Sequence, residues 1–229
     1  MNSIFCGMEK LSLVDFDGKL ACTLFTGGCN YKCPFCHNAP LITPKPFLDM
    51  DDIIKYLTSR KKMLEAIVIS GGEPTLHKEL PNVLKTFKEL GYIIKLDTNG
   101  TNPKMLKELI DNKLIDYVAM DIKSSFSNYH IVTETNNPQL DNIKQSISIL
   151  KTSNIDFEFR TTLVKEFHNL DTINEMKELV NGAKKLFLQK FVLRDTCLNQ
   201  DLHEVDINTA KEYKVLLEEV VDKATLRGY

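Results

Sequence analysis

Cys29, Cys33 and Cys36 stand in the run Cys29-Asn30-Tyr31-Lys32-Cys33-Pro34-Phe35-Cys36, a C-x3-C-x2-C spacing that places three thiols within eight residues. A loop this short cannot wrap three sulfurs around one tetrahedral zinc ion without a fourth ligand from elsewhere. His37 follows Cys36 too closely to serve well, and the chain has no second C-x2-C. The same three thiolates can cap three irons of a cubane [4Fe–4S] cluster and leave the fourth iron open. An open iron implies chemistry on a bound molecule rather than electron storage alone.

Other residues have types suited to holding that molecule. In Gly71-Gly72-Glu73-Pro74, two glycines let a backbone edge approach a ligand with no Cβ in the way, and the Glu can accept hydrogen bonds from an ammonium. Asp97 and Thr98, with Asp121 and Lys123, can hold a cation or hydrogen-bond a ribose. An Asx-turn and a surface ion pair are the plainer readings of those four. Arg160 lies in the apolar run Phe157-Glu158-Phe159-Arg160, a costly place for a cation without an anionic partner. Phe35, between two of the clustered cysteines, reads as an aromatic for a ligand's flat ring rather than as core. Cys22 reads as a small core residue, and Cys6 and Cys197 as structural thiols. His77, His130, His168 and His203 read as solvated surface side chains.

The elements that must position these residues alternate. Leu20 to Phe25, Ala66 to Ser70, Tyr92 to Leu96, Tyr117 to Ile122, Phe157 to Val164 and Leu186 to Leu193 read as strands. Helices are expected over Asp49 to Met63, Lys78 to Leu90, Pro103 to Asn112, Leu140 to Thr152, Leu170 to Val180 and Ile207 to Leu226. Six strands, each followed by a helix, imply α/β architecture with parallel strands and right-handed crossovers. Six units fall short of the eight of a closed barrel, so a partial (β/α)6 barrel is expected, with a flat doubly wound sheet as the alternative. Reactive groups of such folds collect at the C-terminal ends of the strands. The cysteine loop, the Gly-Gly pair, Asp97, Asp121, Lys123 and Arg160 all fall there.

With 229 residues, the chain suffices for a single domain over 1–229, and no linker divides it. It is 43% hydrophobic and 26% charged, with 29 basic against 31 acidic residues. That balance gives no argument for nucleic acid. No apolar run approaches membrane-spanning length and Met1 to Lys10 does not resemble a secretory signal, so a cytoplasmic protein with reduced thiols is expected.

The cysteine spacing with an aromatic before its last member, and the Gly-Gly-Glu-Pro run after the second strand, resemble the radical S-adenosylmethionine superfamily. Cys36-His37-Asn38, Asp97-Thr98-Asn99-Gly100 and Asp121-Ile122-Lys123 resemble its glycyl-radical-enzyme activases. The runs Ser12-Leu13-Val14-Asp15-Phe16-Asp17-Gly18-Lys19 and Phe25-Thr26-Gly27-Gly28-Cys29 are most similar to anaerobic ribonucleoside-triphosphate reductase activating proteins.

The resemblance implies that Cys29, Cys33 and Cys36 hold a [4Fe–4S] cluster whose open iron chelates S-adenosylmethionine. It implies that Gly71, Gly72 and Glu73 receive the methionyl amino group, and that Phe35 contacts adenine. Asp97, Thr98 and Asp121 would ring a monovalent cation, and Lys123 and Arg160 would contact the cofactor. It further implies flavodoxin or ferredoxin as electron donor and a large glycyl radical enzyme, the anaerobic ribonucleotide reductase, as partner. Reductive cleavage would yield a 5′-deoxyadenosyl radical that takes the α-hydrogen of one glycine. Many relatives have Pro where Asp17 stands, and Phe191-Val192-Leu193-Arg194 lacks the His of some pyruvate formate-lyase activases. Other readings are an activase of another glycyl radical enzyme, a small-molecule enzyme such as 7-carboxy-7-deazaguanine synthase, and a zinc- or cluster-bearing module without turnover. Arg227-Gly228-Tyr229 resembles the surroundings of a glycyl radical site, although a frayed terminus is the plainer expectation.

Overall fold

The computed structural model describes residues 3–43 and 47–229. Met1 and Asn2, part of the span read for a secretory signal, lie outside the described residues. Among those described, no helix is long and apolar enough to cross a membrane.

The near-continuous apolar runs form strands buried on both faces, as parallel strands covered by helices must be. Eight strands make one open sheet in strict chain order: β1 (Phe5–Ser12), β2 (Ala21–Thr26), β3 (Ala66–Gly71), β4 (Ile93–Thr98), β5 (Tyr117–Asp121), β6 (Asp156–Leu163), β7 (Leu186–Lys190) and β8 (Ala224–Arg227). β2 to β7 are the six expected strands. Their crossovers carry the helices α1 (Met50–Arg60), α2 (Leu80–Glu89), α3 (Pro103–Asp111), α4 (Tyr129–Val132), α5 (Leu140–Thr152) and α6 (Leu170–Val180), and α7 (Ile207–Glu218) follows β7. Side-chain oxygens of Asp49, Asn102, Asn169 and Asp206 accept backbone N–H bonds at the starts of α1, α3, α6 and α7.

Two strands go beyond the expected six. β1 pairs antiparallel with β2. β8 pairs parallel with β7 and replaces the last turns of the helix expected to run to Leu226. That helix ends at Glu218 because Val221 and Ala224 are drawn inward and the chain turns back onto β7. The last residues are therefore built into the sheet rather than frayed. Arg227 sits over the Phe187 ring at 3.7 Å and pairs with buried Glu158 at 3.4 Å. It also reaches Asp17 of the β1–β2 loop at 3.1 Å. β1 and β8 do not pair, so this contact clasps the two edges of an otherwise open barrel.

Alternation along each strand separates two environments. Ile67, Ile69, Ile94 and Leu96 face the helices in the main core, while Ala66 and Val68 meet Ala21, Phe16 and Ile93 in a small separate cluster. The same inward side carries Lys95, Asp97, Asp121, Glu158 and Arg160. The lumen is thus filled by charge as well as by small apolar groups.

Candidate functional site

The parallel register brings the C-terminal strand ends into line. Thr26 is level with Gly71, and Asp121 with Arg160. Above them lies a cleft of about 440 Å³, within the ~300–1,000 Å³ usual for small-molecule sites. Cys29, Cys33 and Cys36 line it together with Phe35, Gly71, Gly72, Glu73, Asp97, Thr98, Asp121, Lys123 and Arg160. All the site residues expected from the sequence therefore border one cavity.

The cysteine loop is held by its polar groups. Asn30 donates to Thr101 and accepts from Asn99. The Tyr31 hydroxyl donates to the Pro138 carbonyl, and Lys32 N–H to that of Thr133. Burial pushes the Cys29 thiol up to about 11 and the Cys33 thiol up to about 12, and raises Cys36 as well. Three dehydrated thiols become good ligands only when a metal takes the place of their protons. Among the described residues, no three His, Cys, Asp or Glu side chains converge closely enough to hold a single metal ion. His37 does not complete such a site: its Nε2 meets the Val192 carbonyl at 2.7 Å and its ring stacks on Phe191. The donor set and its spread suit a polynuclear cluster better than one zinc ion.

The Gly-Gly pair has a structural reason that the sequence did not reveal. A Cβ on Gly71, where φ is +113°, would overlap the Thr26 backbone, and one on Gly72 would overlap the Gly28 carbonyl oxygen. Gly72 N–H donates to Thr26 O and Glu73 N–H to Gly28 O. The ends of β2 and β3 thus lie backbone against backbone, which brings the cysteine loop to the cleft. Asn38 donates to the Gly71 carbonyl at 3.3 Å.

Glu73 also differs from the expected ammonium acceptor. Its side chain is 1% exposed. Oε1 accepts from Thr75 N–H, Thr75 Oγ1 and Thr98 Oγ1, and Oε2 from Asn99 N–H. Burial raises its pKa, and these four bonds pull against that rise. The carboxylate ties β3 to β4 and is turned into the protein.

Arg160 has the anionic partners its position demanded. It meets Asp97 at 3.2 Å and Asp121 at 2.9 Å, while Lys123 meets Asp121 at 2.8 Å and Lys95 lies 3.6 Å from Asp97. Burial alone would raise the Asp121 carboxyl, but Arg160 and Lys123 outweigh it and hold it at about 2. Burial would lower Lys123, and the Asp121 charge instead raises it above the usual ammonium range. The pair faces the cleft rather than forming the plainer surface bridge. Both carboxylates are already met by protein cations and Thr98 is engaged by Glu73, so the expected monovalent cation finds no support here. Asp97 Oδ1 is buried without a hydrogen-bond partner.

Three expectations are corrected. Phe35 is 6% exposed and packs in the core, its ring 6.1 Å from Phe167, although it also borders the cleft. Its neighbours in the loop are held down against α4, so the ring has nowhere to go but inward. His168 is buried: Nδ1 accepts from Val164 N–H and Nε2 meets the Lys123 carbonyl. Those bonds explain why a loop histidine is not solvated. Arg227-Gly228-Tyr229 belongs to the edge clasp and does not line the cleft.

Lys95 was missed, although it stands in Ile93-Ile94-Lys95-Leu96 and carries the same signal as Arg160. Cys22 is buried core, as expected. Cys197 is buried beside the cysteine loop, where its thiol donates to the Phe35 carbonyl at 3.8 Å.

The Radical SAM superfamily profile matches residues 23–180. A protein of Methanocaldococcus jannaschii with the provisional name glycyl-radical enzyme activating enzyme is 32% identical over 99% of this chain and 97% of its own length. A second protein of that organism, with the same provisional name, is 31% identical over 93% of this chain and 83% of its own. Among solved structures, Streptococcus suis SuiB bound to S-adenosylmethionine shares the fold at a TM-score of 0.67 and 15% identity, covering 88% of this chain and 48% of that one. With the profile spanning most of the chain, the protein belongs to the radical S-adenosylmethionine superfamily.

Proposed function

We propose that this protein is a glycyl-radical-enzyme activase and that its target is an anaerobic ribonucleoside-triphosphate reductase. The observation that carries the reading is three thiols, Cys33 buried and Cys29 and Cys36 half-buried, on one wall of a cleft whose other walls are a glycine backbone edge and a charge network. The full-length likeness to two proteins provisionally named as activating enzymes supports the class. The target rests on the Ser12 to Lys19 and Phe25 to Cys29 runs.

Cys29, Cys33 and Cys36 would hold the [4Fe–4S] cluster, which, bound with S-adenosylmethionine and supplied with an electron from flavodoxin or ferredoxin, provides reductive cleavage to a 5′-deoxyadenosyl radical. The chain's residues bind and orient. Lys123 and Arg160 line the cleft and Lys95 meets Asp97 from beyond its lining, three cations against two carboxylates, an environment suited to the cofactor's carboxylate. Asp97 takes Arg160 on Oδ2 and faces Lys95 through its buried Oδ1, so it holds those cations in place. Gly71 and Gly72 present backbone rather than side chain to the methionyl end. Glu73 positions that edge through its four bonds. The unpaired edges of β1 and β8 leave room for a partner's loop at the rim, which a closed barrel would obstruct.

The test is anaerobic. Reconstituted, reduced protein with S-adenosylmethionine is expected to form 5′-deoxyadenosine and, with the reductase added, a glycyl doublet by electron paramagnetic resonance. Deoxyadenosine with no glycyl signal on the reductase refutes the target. A chain that takes up no iron refutes the whole reading.

A further inference from the structure

The cysteine loop has two halves with separate anchors. The half carrying Cys29 is tied to the β4 turn through Asn30 and to the segment after α4 through Tyr31 and Lys32. The half carrying Cys36 is met from the opposite side by residues 191–206, which connect β7 to α7 without regular structure. Connections of this length usually have a task of their own.

This segment is a strap with a firm base and a braced tip. At its base, Val164 bridges to Glu204, Lys165 N–H donates to His203 O, and Lys190 pairs with Glu204 at 2.9 Å. At its tip, Cys197 N–H donates to Arg194 O, and the Gln200 amide donates to the carbonyls of Cys197 and Arg194 at 2.7 and 3.2 Å. From that tip two donors point at consecutive carbonyls of the cysteine loop. Asn199 N–H reaches Pro34 O at 3.0 Å, and Cys197 Sγ reaches Phe35 O at 3.8 Å. His37 completes the seam through the Val192 carbonyl. Cys197 is 5% exposed, so its thiol is committed to this contact rather than to solvent.

We propose that the strap fixes the Cys36 corner of the metal site, with Cys197 as a positioning residue that acts through the Phe35 carbonyl. A thiol aimed by a hydrogen-bonded backbone keeps its place when the metal is oxidised or challenged, and groups just beyond the ligands tune both metal retention and redox behaviour. The proposal rests on the cluster reading given above, and the experiment separates the two.

Wild type, Cys197→Ala, Cys197→Ser and Asn199→Pro are reconstituted anaerobically. Iron loss to a chelator and the electron paramagnetic resonance spectrum of the reduced protein are recorded for each, with hydrogen exchange measured on the metal-free forms. Cys197→Ala and Asn199→Pro are expected to lose iron several-fold faster than wild type, with an altered spectrum. Cys197→Ser, which keeps a donor, is expected to stay near wild type. In the metal-free Cys197→Ala protein, amides of residues 35–38 are expected to exchange faster while those of 30–32 do not change. Iron loss, spectrum and exchange all equal to wild type in Cys197→Ala and Asn199→Pro overturn the proposal. Wild type that binds no iron overturns the cluster reading instead, and unaltered exchange at 35–38 then disposes of the strap as well.

Discussion

Replacing Asp121 by Asn removes one negative charge from a half-buried network that carries three positive ones. The Asp121 carboxyl is held at about 2 against an ordinary 3.8, because Arg160 and Lys123 outweigh the burial that would raise it. At ~1.4 kcal/mol per tenfold change in proton affinity, such a carboxylate contributes roughly 2–3 kcal/mol to folding. A depressed carboxylate contributes fully above its unfolded value near pH ~4 and loses the contribution as pH falls through the folded one, so the effect is intact at neutrality. Asn keeps the shape and loses the charge. Arg160 retains Asp97, whereas Lys123 loses the carboxylate it pairs with. Urea unfolding of the metal-free protein at neutral pH is therefore expected to show Asp121→Asn less stable by about 2–3 kcal/mol. In a double-mutant cycle with Lys123→Met, the two losses are expected to fall short of additivity by more than about 1 kcal/mol. A loss below ~0.5 kcal/mol, or strict additivity, would refute the account of the wall as one coupled network.

Three further outcomes are expected. Gly72→Ala places a methyl group on the Gly28 carbonyl and should cost roughly 1–3 kcal/mol by thermal or urea unfolding, with loss of iron uptake; wild-type stability would remove the close approach as the reason for that glycine. Glu73→Gln cannot match the carboxylate's four bonds, so stability should fall by about 1–3 kcal/mol, while S-adenosylmethionine affinity of the folded, iron-loaded variant falls less than tenfold by calorimetry. A larger affinity loss would return Glu73 to direct ligand contact. Because the thiols of Cys29 and Cys33 sit at about 11 and 12 in the metal-free protein, iron uptake should release protons and should continue to strengthen as pH is raised through 9, the ordinary value of a thiol. A plateau below that pH, read by titration with a proton-sensitive dye, would contradict the dehydrated state of the thiols.

Much of the site was legible because its residues sit badly anywhere else. Arg160 in an apolar strand demanded an anion, and the structure supplies Asp97 and Asp121. Lys95 carried the same demand and was overlooked only because its run is shorter. The six central strands were readable from continuous apolar runs and turn residues. β1 was not, since Phe5–Ser12 has a half-exposed edge pattern with little apolar continuity. β8 was hidden because Ala224 to Arg227 continues the helical periodicity of α7, and only pairing with β7 decides otherwise. The bonds of Glu73 were not legible for a related cause. A carboxylate after two glycines looks the same in sequence whether it faces a ligand or the β4 turn, and the choice depends on Thr98 and Asn99, which lie more than twenty residues away.

The clasp between Asp17 and Arg227 bears on the order in which the molecule assembles. Each strand after the first pairs with the one that precedes it in the chain, so pairing can spread by short closures. The clasp joins residues 210 positions apart. Closing an unstructured loop of that length costs roughly 5 kcal/mol from the logarithmic scaling alone, more than the ~1 kcal/mol that an exposed ion pair returns. The contact can form only once the sheet has carried its own edges together, which places it after the folding transition state. Weakening it should quicken unfolding and leave the rate of folding where it was.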